Sequence, residues 1–481
     1  MPGFVFTLLY SVFYIPMKKL SLFVIAAVLF FFSCKKNSFI TSTDAIISFS
    51  DDTLYFDTVF TSTGSITEFV KINNLNDQKI MLSAIKLMGG AQSPFRINID
   101  GAIGPESSNI EMAANDSLYI FVTVTINPST ANLPFLLEDS IQVSFNGNTR
   151  YIQLQAWGQN AHFLQSKLIT GNVTWTNDLP YVILGGLLID SNSTLTIEKG
   201  CKIYSHADAP FLVDGTLQVQ GEKYDSTKVY FSGDRLDDPY NTYPGSWPGI
   251  YFRTASKDNT LEFAVIRNAY QGIIAENASV NSNPKVSLNE CIIDNIYDAG
   301  ILGVQSNIQA TNCLVSNCGK NILLGYGGIY NFIHCTVASY SNDYIQHTMP
   351  VLVITNYASQ GNTILTSDLT GSFVNCIFWG DNGTVDDEVI VAKQGNTAFN
   401  VSFSNCLWKV KNSPALADTS NIISNMDPLF EMINNQQRLY DFHLMDGSPA
   451  IDKGKNAGVI LDLDGNPRPV GNPDLGCYEK Q

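Results

Sequence analysis

The chain has 481 residues, more than one ordinary hydrophobic core organises, so we expect two domains or one domain followed by a repeat array. Lysine and arginine together number 28 against 44 aspartate and glutamate residues, which gives a formal net charge of −16. This charge argues against nucleic acid and anionic lipid headgroups as partners, because both repel an acidic surface.

The N-terminus has the pattern of a secretory signal. Lys18 and Lys19 precede an almost unbroken apolar run over 20–32. That run is long enough for the hydrophobic region of a signal peptide, but shorter than the roughly 20 apolar residues that span a bilayer. We therefore predict a signal peptide over 1–33, with translation starting at Met17.

The apolar run ends in Phe-Phe-Ser-Cys at 31–34, which resembles a lipobox, the motif where signal peptidase II cuts before a diacylated cysteine. The resemblance implies lipidation of Cys34, a lipidated linker over 34–45, and an outer-membrane lipoprotein in the cell envelope of a Gram-negative bacterium. Phe31 stands where leucine is usual, and an ordinary secretory signal with an unpaired thiol remains the alternative. The pattern leaves open the periplasmic or the surface face of the membrane.

Residues 46–160 alternate short apolar runs with turn-forming residues, as 118–124 illustrates. Strands at such spacing favour a β-sandwich. The order of features, from Phe-Asp-Thr-Val at 56–59 to a closing strand that ends at Gly158, resembles the hydin-like immunoglobulin-type domains. The resemblance implies an immunoglobulin-like β-sandwich with a structural or interactive role.

Residues 161–430 carry a repeat that is marked by cysteine. Cys291, Cys313 and Cys335 recur at a step of 22 residues, and each opens a short apolar strand. A β-rich period in the low twenties is typical of a solenoid in which each coil stacks on the last. We therefore predict an all-β protein in which the N-terminal sandwich is followed by a right-handed parallel β-helix.

Three roles are open for the recurring cysteines: metal ligands, disulfide partners or stacked core residues. A metal cluster is disfavoured, because no Cys-x-x-Cys occurs and His334 is the only histidine next to one of these cysteines. An oxidising compartment permits disulfides. However, equivalent side chains on stacked coils lie about 4.8 Å apart, whereas the Cβ atoms of a disulfide lie about 3.8 Å apart. The spacing favours reduced cysteines that fill the core.

Asparagine recurs four residues after the cysteine position, at Asn268, Asn295 and Asn317. Asparagine tolerates the left-handed backbone conformation, and its amide can bond to the copy in the next coil. The pattern resembles the asparagine ladder of pectate-lyase-like right-handed β-helices. The resemblance implies a folding device and no catalytic role.

The C-terminal residues 431–481 contain three ordered motifs, at 447–454, 462–468 and 473–479. Their succession resembles the closing segment of bacterial surface β-helix proteins that are grouped as choice-of-anchor domains. We expect this segment to cap the last coil, because an open solenoid end exposes strand edges and core. Asp462, Asp464 and Asn466 have the spacing that begins a Ca²⁺ loop, but the following glycine and the distal glutamate are missing.

Two dense acidic groups are candidates for ligand binding. Both have the composition of loops between coils, and the first mixes carboxylates with aromatic rings, as sugar sites do. The alternative for the first group is a solvated insertion in which Trp247 packs inward. The candidate residues are Asp234, Asp237, Asp238, Tyr240, Tyr243, Asp386 and Asp387.

The leading hypothesis is a non-catalytic cell-envelope lipoprotein that presents a β-helix scaffold for glycan or protein binding. The alternative is a polysaccharide lyase or glycoside hydrolase that acts on acidic polysaccharide. A lyase requires a Ca²⁺-binding acidic cluster with a nearby base, and a hydrolase requires paired carboxylates. Because the polygalacturonase-type motifs are missing from the sequence, we assign no catalytic residues and no cofactor, with Ca²⁺ as the alternative. The expected partners are the membrane, through the lipid anchor, and a polysaccharide or an envelope protein.

Overall fold

A computed structural model describes residues 38–60, 65–126 and 135–481, so Cys34 and the predicted signal peptide lie outside the described residues. Regular structure in these ranges is almost entirely β-strand, with two short 3-10 helices at Gly90–Gln92 and Tyr240–Thr242. Neither helix is long or apolar enough to cross a membrane. The described residues divide into two compact units, the first 38–56, 65–126 and 136–156, the second 57–60, 135 and 157–481.

Ten strands form two five-stranded sheets in the N-terminal part of the chain. The strands are β1 (Ile47–Phe49), β2 (Thr53–Phe60), β3 (Glu68–Asn74), β4 (Ile80–Leu87), β5 (Phe95–Ile99), β6 (Ala102–Ile103), β7 (Glu106–Met112), β8 (Ser117–Val124), β9 (Phe135–Phe145) and β10 (Asn148–Gln159). The front sheet has the order β1-β3-β8-β5-β6, and the back sheet has the order β2-β10-β9-β4-β7.

Several neighbouring strands in these sheets run antiparallel, as β3 does with β8 and β4 does with β9. Alternate residues of β8 are buried, including Ile120 and Val122 at 0% exposure. The rings of Phe56 in the back sheet and Phe95 in the front sheet lie 5.8 Å apart. The two sheets therefore share a core in the first unit, whose assignment to the immunoglobulin type stays a prediction.

Thirty further strands follow, and 26 of the strands from β11 to β38 belong to one continuous sheet. The first fifteen are β11 (His162–Ile169), β12 (Asn172–Trp175), β13 (Tyr181–Ile189), β14 (Thr194–Glu198), β15 (Lys202–Ser205), β16 (Phe211–Val213), β17 (Thr216–Gln220), β18 (Val229–Gly233), β19 (Ile250–Phe252), β20 (Asn259–Glu262), β21 (Ala264–Arg267), β22 (Ile273–Glu276), β23 (Val286–Asn289), β24 (Ile292–Asp294) and β25 (Ala299–Thr311). The remaining fifteen are β26 (Leu314–Ser316), β27 (Lys320–Ile333), β28 (Thr336–Tyr340), β29 (Leu352–Thr355), β30 (Tyr357–Gln360), β31 (Thr363–Thr366), β32 (Leu369–Val374), β33 (Ile377–Asp381), β34 (Val389–Ala392), β35 (Phe399–Ser404), β36 (Leu407–Trp408), β37 (Asp418–Ser420), β38 (Ile423–Ser424), β39 (Phe430–Asn434) and β40 (Leu439–Leu444).

The pairings of the large sheet wind the chain into a parallel solenoid with three strands in each coil. Over most of its length every third strand pairs in parallel register, as β14 does with β17 and β17 does with β20. We distinguish three stacks. The first solenoid sheet includes β14, β17, β20, β23, β32 and β35; the second includes β15, β18, β21, β24, β26, β28, β33, β36 and β38; the third includes β16, β19, β22, β29 and β34. This topology is consistent with a β-helix.

The predicted spacing of the cysteine-bearing coils is confirmed. Ile293 pairs with Val315 and Val315 pairs with Val337, so these coils lie 22 residues apart. All three side chains are completely buried, because period-2 alternation directs them into the coil. Their neighbours in sequence point outward, where they can line a surface.

The eight cysteines of the described residues are free and buried. Each stacked cysteine directs its thiol at a backbone carbonyl of the preceding coil, as Cys313 does to Leu288 O at 3.5 Å and Cys335 does to Ala310 O at 3.7 Å. Burial raises the pKa of both thiols well above the usual range. The structure therefore agrees with the stacked, reduced cysteines favoured by the spacing.

The asparagine positions also form the predicted turn. Asn268, Asn295 and Asn317 have φ of 62°, 57° and 50°, a conformation that asparagine tolerates. Asn295 Nδ2 donates to Asn268 Oδ1 at 2.7 Å. Asn317 does not extend the ladder, since its Nδ2 lies 3.5 Å from Asp294 Oδ1 and its Oδ1 accepts the N–H of Tyr340.

The C-terminal segment 431–481, expected to cap the last coil, instead lies along the side of the solenoid. Its apolar residues form a second core with the outward side chains of the second solenoid sheet. The solenoid side contributes Leu314, Ala338, Tyr340, Ile377, Trp379 and Leu407, and the segment contributes Phe442, Leu444, Ala450, Leu463, Leu475, Cys477 and Tyr478. The apolar outer surface of several coils explains the difference, because it offers more area to bury than one coil end.

Candidate functional site

A cavity of about 650 Å³ opens where the C-terminal segment lies against the second solenoid sheet. We call it the face groove. Its floor consists of outward side chains of β21, β24 and β26, and its walls are residues 241–242, the turn asparagines and residues 437–443. The volume falls in the range of about 300–1,000 Å³ that is typical of ligand sites.

The floor of the face groove places charged and apolar groups side by side. Arg267 and Asp294 occupy the same register position of successive coils. Arg267 Nε lies 3.5 Å from Asp294 Oδ2, and Ser316 Oγ donates to Asp294 Oδ1 at 2.7 Å. Ile292 and Leu314 add apolar surface beside them. A floor of this composition offers hydrogen bonds and a nonpolar contact to one ligand.

His443 brings a positive charge to the wall that β40 forms. Its Nδ1 bonds with Asp441 Oδ1 at 2.5 Å, its Nε2 bonds with Asp464 Oδ2 at 2.9 Å, and its ring stacks on Tyr478 at 3.8 Å. Burial opposes the charged form, but the hydrogen bonds with Asp464 and Asp441 outweigh it and raise the pKa of His443 to about 9. The imidazole is therefore protonated at neutral pH.

A chain of aromatic rings connects the predicted loop to the face groove. Tyr240 and Tyr243 lie 5.1 Å apart, and Tyr243 lies 4.9 Å from Tyr344. A guanidinium group covers the ring at each end of this row of aromatic rings. Arg235 Cζ lies 4.0 Å from the centre of the Tyr240 ring, and Arg438 Cζ lies 4.2 Å from the centre of the Tyr344 ring. Arg438 also lines the face groove. Cation–π contacts of this kind hold the flexible arginines in place.

Two of the three predicted carboxylates of this loop contact basic side chains. Asp237 accepts two hydrogen bonds of 2.7 Å from Arg235, and Asp234 Oδ2 lies 2.7 Å from His206 Nδ1. Asp238 precedes Pro239 in the same loop. Of the predicted residues, the structure places Tyr240 and Tyr243 next to the face groove, where Asn241 and Thr242 between them line the wall.

Asp386 and Asp387 make their contacts with a different part of the chain. Lys411 Nζ lies 3.3 Å from Asp386 Oδ2, and the backbone N–H of Asn412 donates to Asp387 Oδ1 at 2.7 Å. That backbone hydrogen bond is the first reason that the pKa of Asp387 is lowered. These contacts connect two loops of the solenoid. A role of Asp386 and Asp387 in ligand binding stays a prediction.

A smaller cavity of about 390 Å³ continues the face groove along the second solenoid sheet. It shares Asn241, Arg267 and Asn268 with the larger cavity and adds Tyr204 and Tyr230 from the preceding coils. Burial raises the pKa of both tyrosines, so their hydroxyls stay protonated donors. An elongated ligand that lies across successive coils would contact both cavities.

The predicted Ca²⁺ spacing builds a turn in the structure. Asp462 Oδ1 accepts the backbone N–H groups of Asp464 and Asn466 at 3.0 and 2.7 Å, and its Oδ2 accepts that of Glu479 at 3.1 Å. Within the described ranges, no group of three or more His, Cys, Asp or Glu residues is arranged to hold a metal ion. Both carboxylate oxygens of Asp462 therefore accept hydrogen bonds from backbone N–H groups.

Sequence reasoning did not select Arg267, Asp294, Arg438 or His443. One signal was available for the first two, because charged residues recur at the outward position of strands whose neighbours are core residues. Arg438 and His443 had no such signal. They reach the face groove only because the C-terminal segment lies along the side of the solenoid.

The fold defines the chain as an all-β protein with a large parallel sheet. No family model matches the chain, and no curated protein matches it. Solved structures that align with it include the catalytic domain of a GH87 α-1,3-glucanase in complex with nigerose, at 12% identity, over 76% of this chain and 87% of that chain, with a TM-score of 0.22.

Two other solved structures align with a quarter of the chain. A family 123 glycoside hydrolase from Clostridium perfringens aligns at 10% identity over 26% of this chain and 30% of that chain, with a TM-score of 0.18. A protein of unknown function from Porphyromonas gingivalis W83 aligns at 7% identity over 26% of this chain and 60% of that chain, with a TM-score of 0.18. These superpositions do not assign an activity to the chain.

Proposed function

We propose that this chain is a cell-envelope lipoprotein that binds a glycan in the face groove. The observation that carries the proposal is the composition of the groove, where Arg267, Asp294 and Arg438 lie beside apolar side chains and an aromatic ring chain. Sugars present hydroxyl groups around nonpolar ring faces. Fixed charged groups bind hydroxyls through strong hydrogen bonds, and aromatic rings cover nonpolar faces.

A glycan array tests this proposal with the chain in which Cys34 is replaced by serine. We expect Arg438→Ala to weaken binding about tenfold or more, since a hydrogen bond to a charged group contributes about 1.5–3 kcal/mol. Lys393→Ala is the matched control, because Lys393 is an exposed cation that contacts Phe399. Equal loss in both variants, or no array signal for the parent chain, would contradict the proposal.

Hydrolysis of the bound glycan is a second candidate function. The observation in its favour is that two carboxylates, Asp294 and Asp441, line the same cavity, and glycoside hydrolysis requires such a pair. Each is already engaged, Asp294 by Ser316 and Arg267 and Asp441 by His443, and these contacts favour binding. Release of reducing ends from a bound glycan, abolished by Asp294→Asn, would identify a hydrolase.

The envelope location is part of the same proposal and is supported by the lipobox resemblance at Cys34. The predicted signal peptide directs export, and two acyl chains on one cysteine are enough for stable anchoring. The chain has nine cysteines. Acylation at Cys34 would leave eight titratable thiols in the protein purified from membranes, whereas nine would contradict the anchor.

Two finer features of the architecture are also proposals. The front and back sheets, which share a core, support an immunoglobulin-type first unit. Connections between parallel strands of one sheet are right-handed in about 98% of cases, which supports right-handed winding of the solenoid. An experimental structure tests both, and left-handed coils would overturn the second.

A further inference from the structure

The outer face of the front sheet carries three aromatic rings that contact one another. Phe69, Tyr119 and Phe121 are 50%, 38% and 40% exposed. Their ring centroids lie 5.6 to 6.3 Å apart, and the planes of Tyr119 and Phe121 differ by 15°. We propose that this aromatic platform is a second binding site and that its ligand is an acidic glycan. The site is separate from the face groove and does not depend on it.

On β8, which carries Tyr119 and Phe121, the platform can offer only side chains to a ligand. β8 pairs with β3 on one side and with β5 on the other, so its backbone groups are already paired. Addition of a peptide strand, which needs a free sheet edge, is therefore excluded at β8. A ligand with a flat nonpolar face, such as a pyranose ring, fits an exposed patch of rings.

The charges around the platform favour an acidic ligand. Lys71 Nζ lies 5.7 Å from the centre of the Tyr119 ring, on the strand position directly opposite Tyr119. Arg96 lies on β5, opposite Thr123. The outward positions of β1, β3, β5 and β8 are Ser48, Phe69, Lys71, Asn73, Arg96, Asn98, Ser117, Tyr119, Phe121 and Thr123.

These outward positions carry two cations and no carboxylate, although the whole chain has a net charge of −16. The nearest carboxylate in sequence is that of Glu68, which precedes Phe69 and shares a register position with the buried Val122, so it does not belong to the outward set; Asp100 and Asp116 follow β5 and precede β8. The positive charge of this patch complements a negatively charged uronate or sulfate group placed beside the rings. Asn73 and Asn98 flank the rings and supply amide groups for the sugar hydroxyls.

The same observations argue against a lipid surface as the ligand. The three rings contact one another, and two of them lie nearly parallel, so they do not project singly as membrane-inserting side chains do. Insertion would also desolvate the asparagine, serine and threonine side chains that share the face, at a cost for each unpaired polar group. A glycan can leave these groups hydrogen-bonded.

Titration calorimetry of the full chain tests the platform. The chain carries Cys34→Ser, because a protein without the lipid anchor can also be tested for binding to vesicles. The probes are hexamers of galacturonate, of mannuronate and of sulfated chondroitin, each compared with its neutral form, in which the carboxylates are methyl-esterified and, for chondroitin, the sulfates are also removed. We expect at least one acidic probe to bind, and Tyr119→Ala with Phe121→Ala to weaken that binding at least tenfold. Lys71→Gln should weaken binding of the acidic form and leave binding of the neutral form unchanged.

Tyr151→Ala is the matched control, because Tyr151 is a 47% exposed tyrosine on β10 of the back sheet. It should leave the affinity unchanged. No binding by all three acidic probes, equal affinity for the neutral forms, or equal loss in the control would each overturn the proposal. Binding to phosphatidylglycerol vesicles that Tyr119→Ala abolishes would overturn it in favour of a lipid surface. Arg438→Ala should leave this affinity unchanged, which separates a failure here from a failure of the face groove.

Discussion

At the scale of single residues, His443 joins the stability of the C-terminal segment to the charge of the face groove. The imidazole bonds with Asp441 in its own hairpin and with Asp464 in the following turn. Tyr478 covers its ring. Because both bonds require a protonated ring to be at full strength, the ionisation of one side chain affects both the packing of the segment and the field in the groove.

The pH dependence of stability tests this arrangement. An exposed histidine in the unfolded chain has a pKa of about 6.5, whereas that of His443 in the fold is about 9. The folded state therefore binds the proton more tightly, and the stabilisation is complete below about pH 6.5 and is lost as the pH rises through about 9. We expect the difference in unfolding free energy between the parent chain and His443→Gln to be largest near pH 6 and to vanish near pH 10.

Urea denaturation at constant ionic strength measures this difference. His206→Gln is the control, because the side chain of His206 is 49% exposed and exposed pairs such as that with Asp234 contribute little. A difference for His443→Gln that stays constant from about pH 6 to 10 would show that the imidazolium does not stabilise the segment.

At the scale of elements, the solenoid could be predicted from sequence because stacking imposes a repeat. Cys291 and Cys313 occupy equivalent inward positions of successive coils, so one packing environment selects the same residue type twice. The hairpin β39–β40 has no such repeat. Its position depends on contacts with outward residues such as Tyr340, which lie far away in sequence, and the face groove that it completes could not be predicted from either part alone.

Thiol titration tests the cysteine stack. We expect none of the eight described cysteines to react with Ellman's reagent at about pH 8 in the native chain with Cys34→Ser, and all eight to react in urea. Burial prevents access and raises the pKa of Cys201 and Cys477 to about 12, so little thiolate forms. Fast native reaction would contradict the buried stack, and fewer than eight thiols in urea without reductant would indicate disulfides.

At the scale of the whole second unit, the C-terminal segment changes what the solenoid exposes. β28 is buried at all five positions and β33 at four of five, because the coil core covers one face and the segment covers the other. Arg468 is buried within this segment, with its side chain and that of Glu479 both at 0% exposure. The segment therefore depends on one buried ion pair as well as on apolar contact.

Arg468→Ala tests whether that pair holds the segment in place. Arg468 Nη1 lies 3.4 Å from Glu479 Oε2, Nη1 also donates to Asp474 O at 3.0 Å, and Nη2 donates to Gly476 O at 3.1 Å. Truncation leaves the Glu479 carboxylate buried without its cation, so we expect a loss of about 3–5 kcal/mol in unfolding free energy. We expect trypsin then to cut native protein after Lys453 faster than it cuts the parent chain there.

Lys480→Ala is the control for Arg468→Ala, because Lys480 pairs with Asp446 at 3.1 Å on the surface, where Asp446 is 96% exposed. Such a pair contributes about 0–1 kcal/mol. Adding Glu479→Gln to Arg468→Ala should recover part of the loss, since it removes the unpaired charge and keeps an oxygen for the backbone N–H of Val470. If Arg468→Ala and Lys480→Ala lowered the unfolding free energy equally, apolar packing alone would hold the segment. The face groove would then not depend on Arg468.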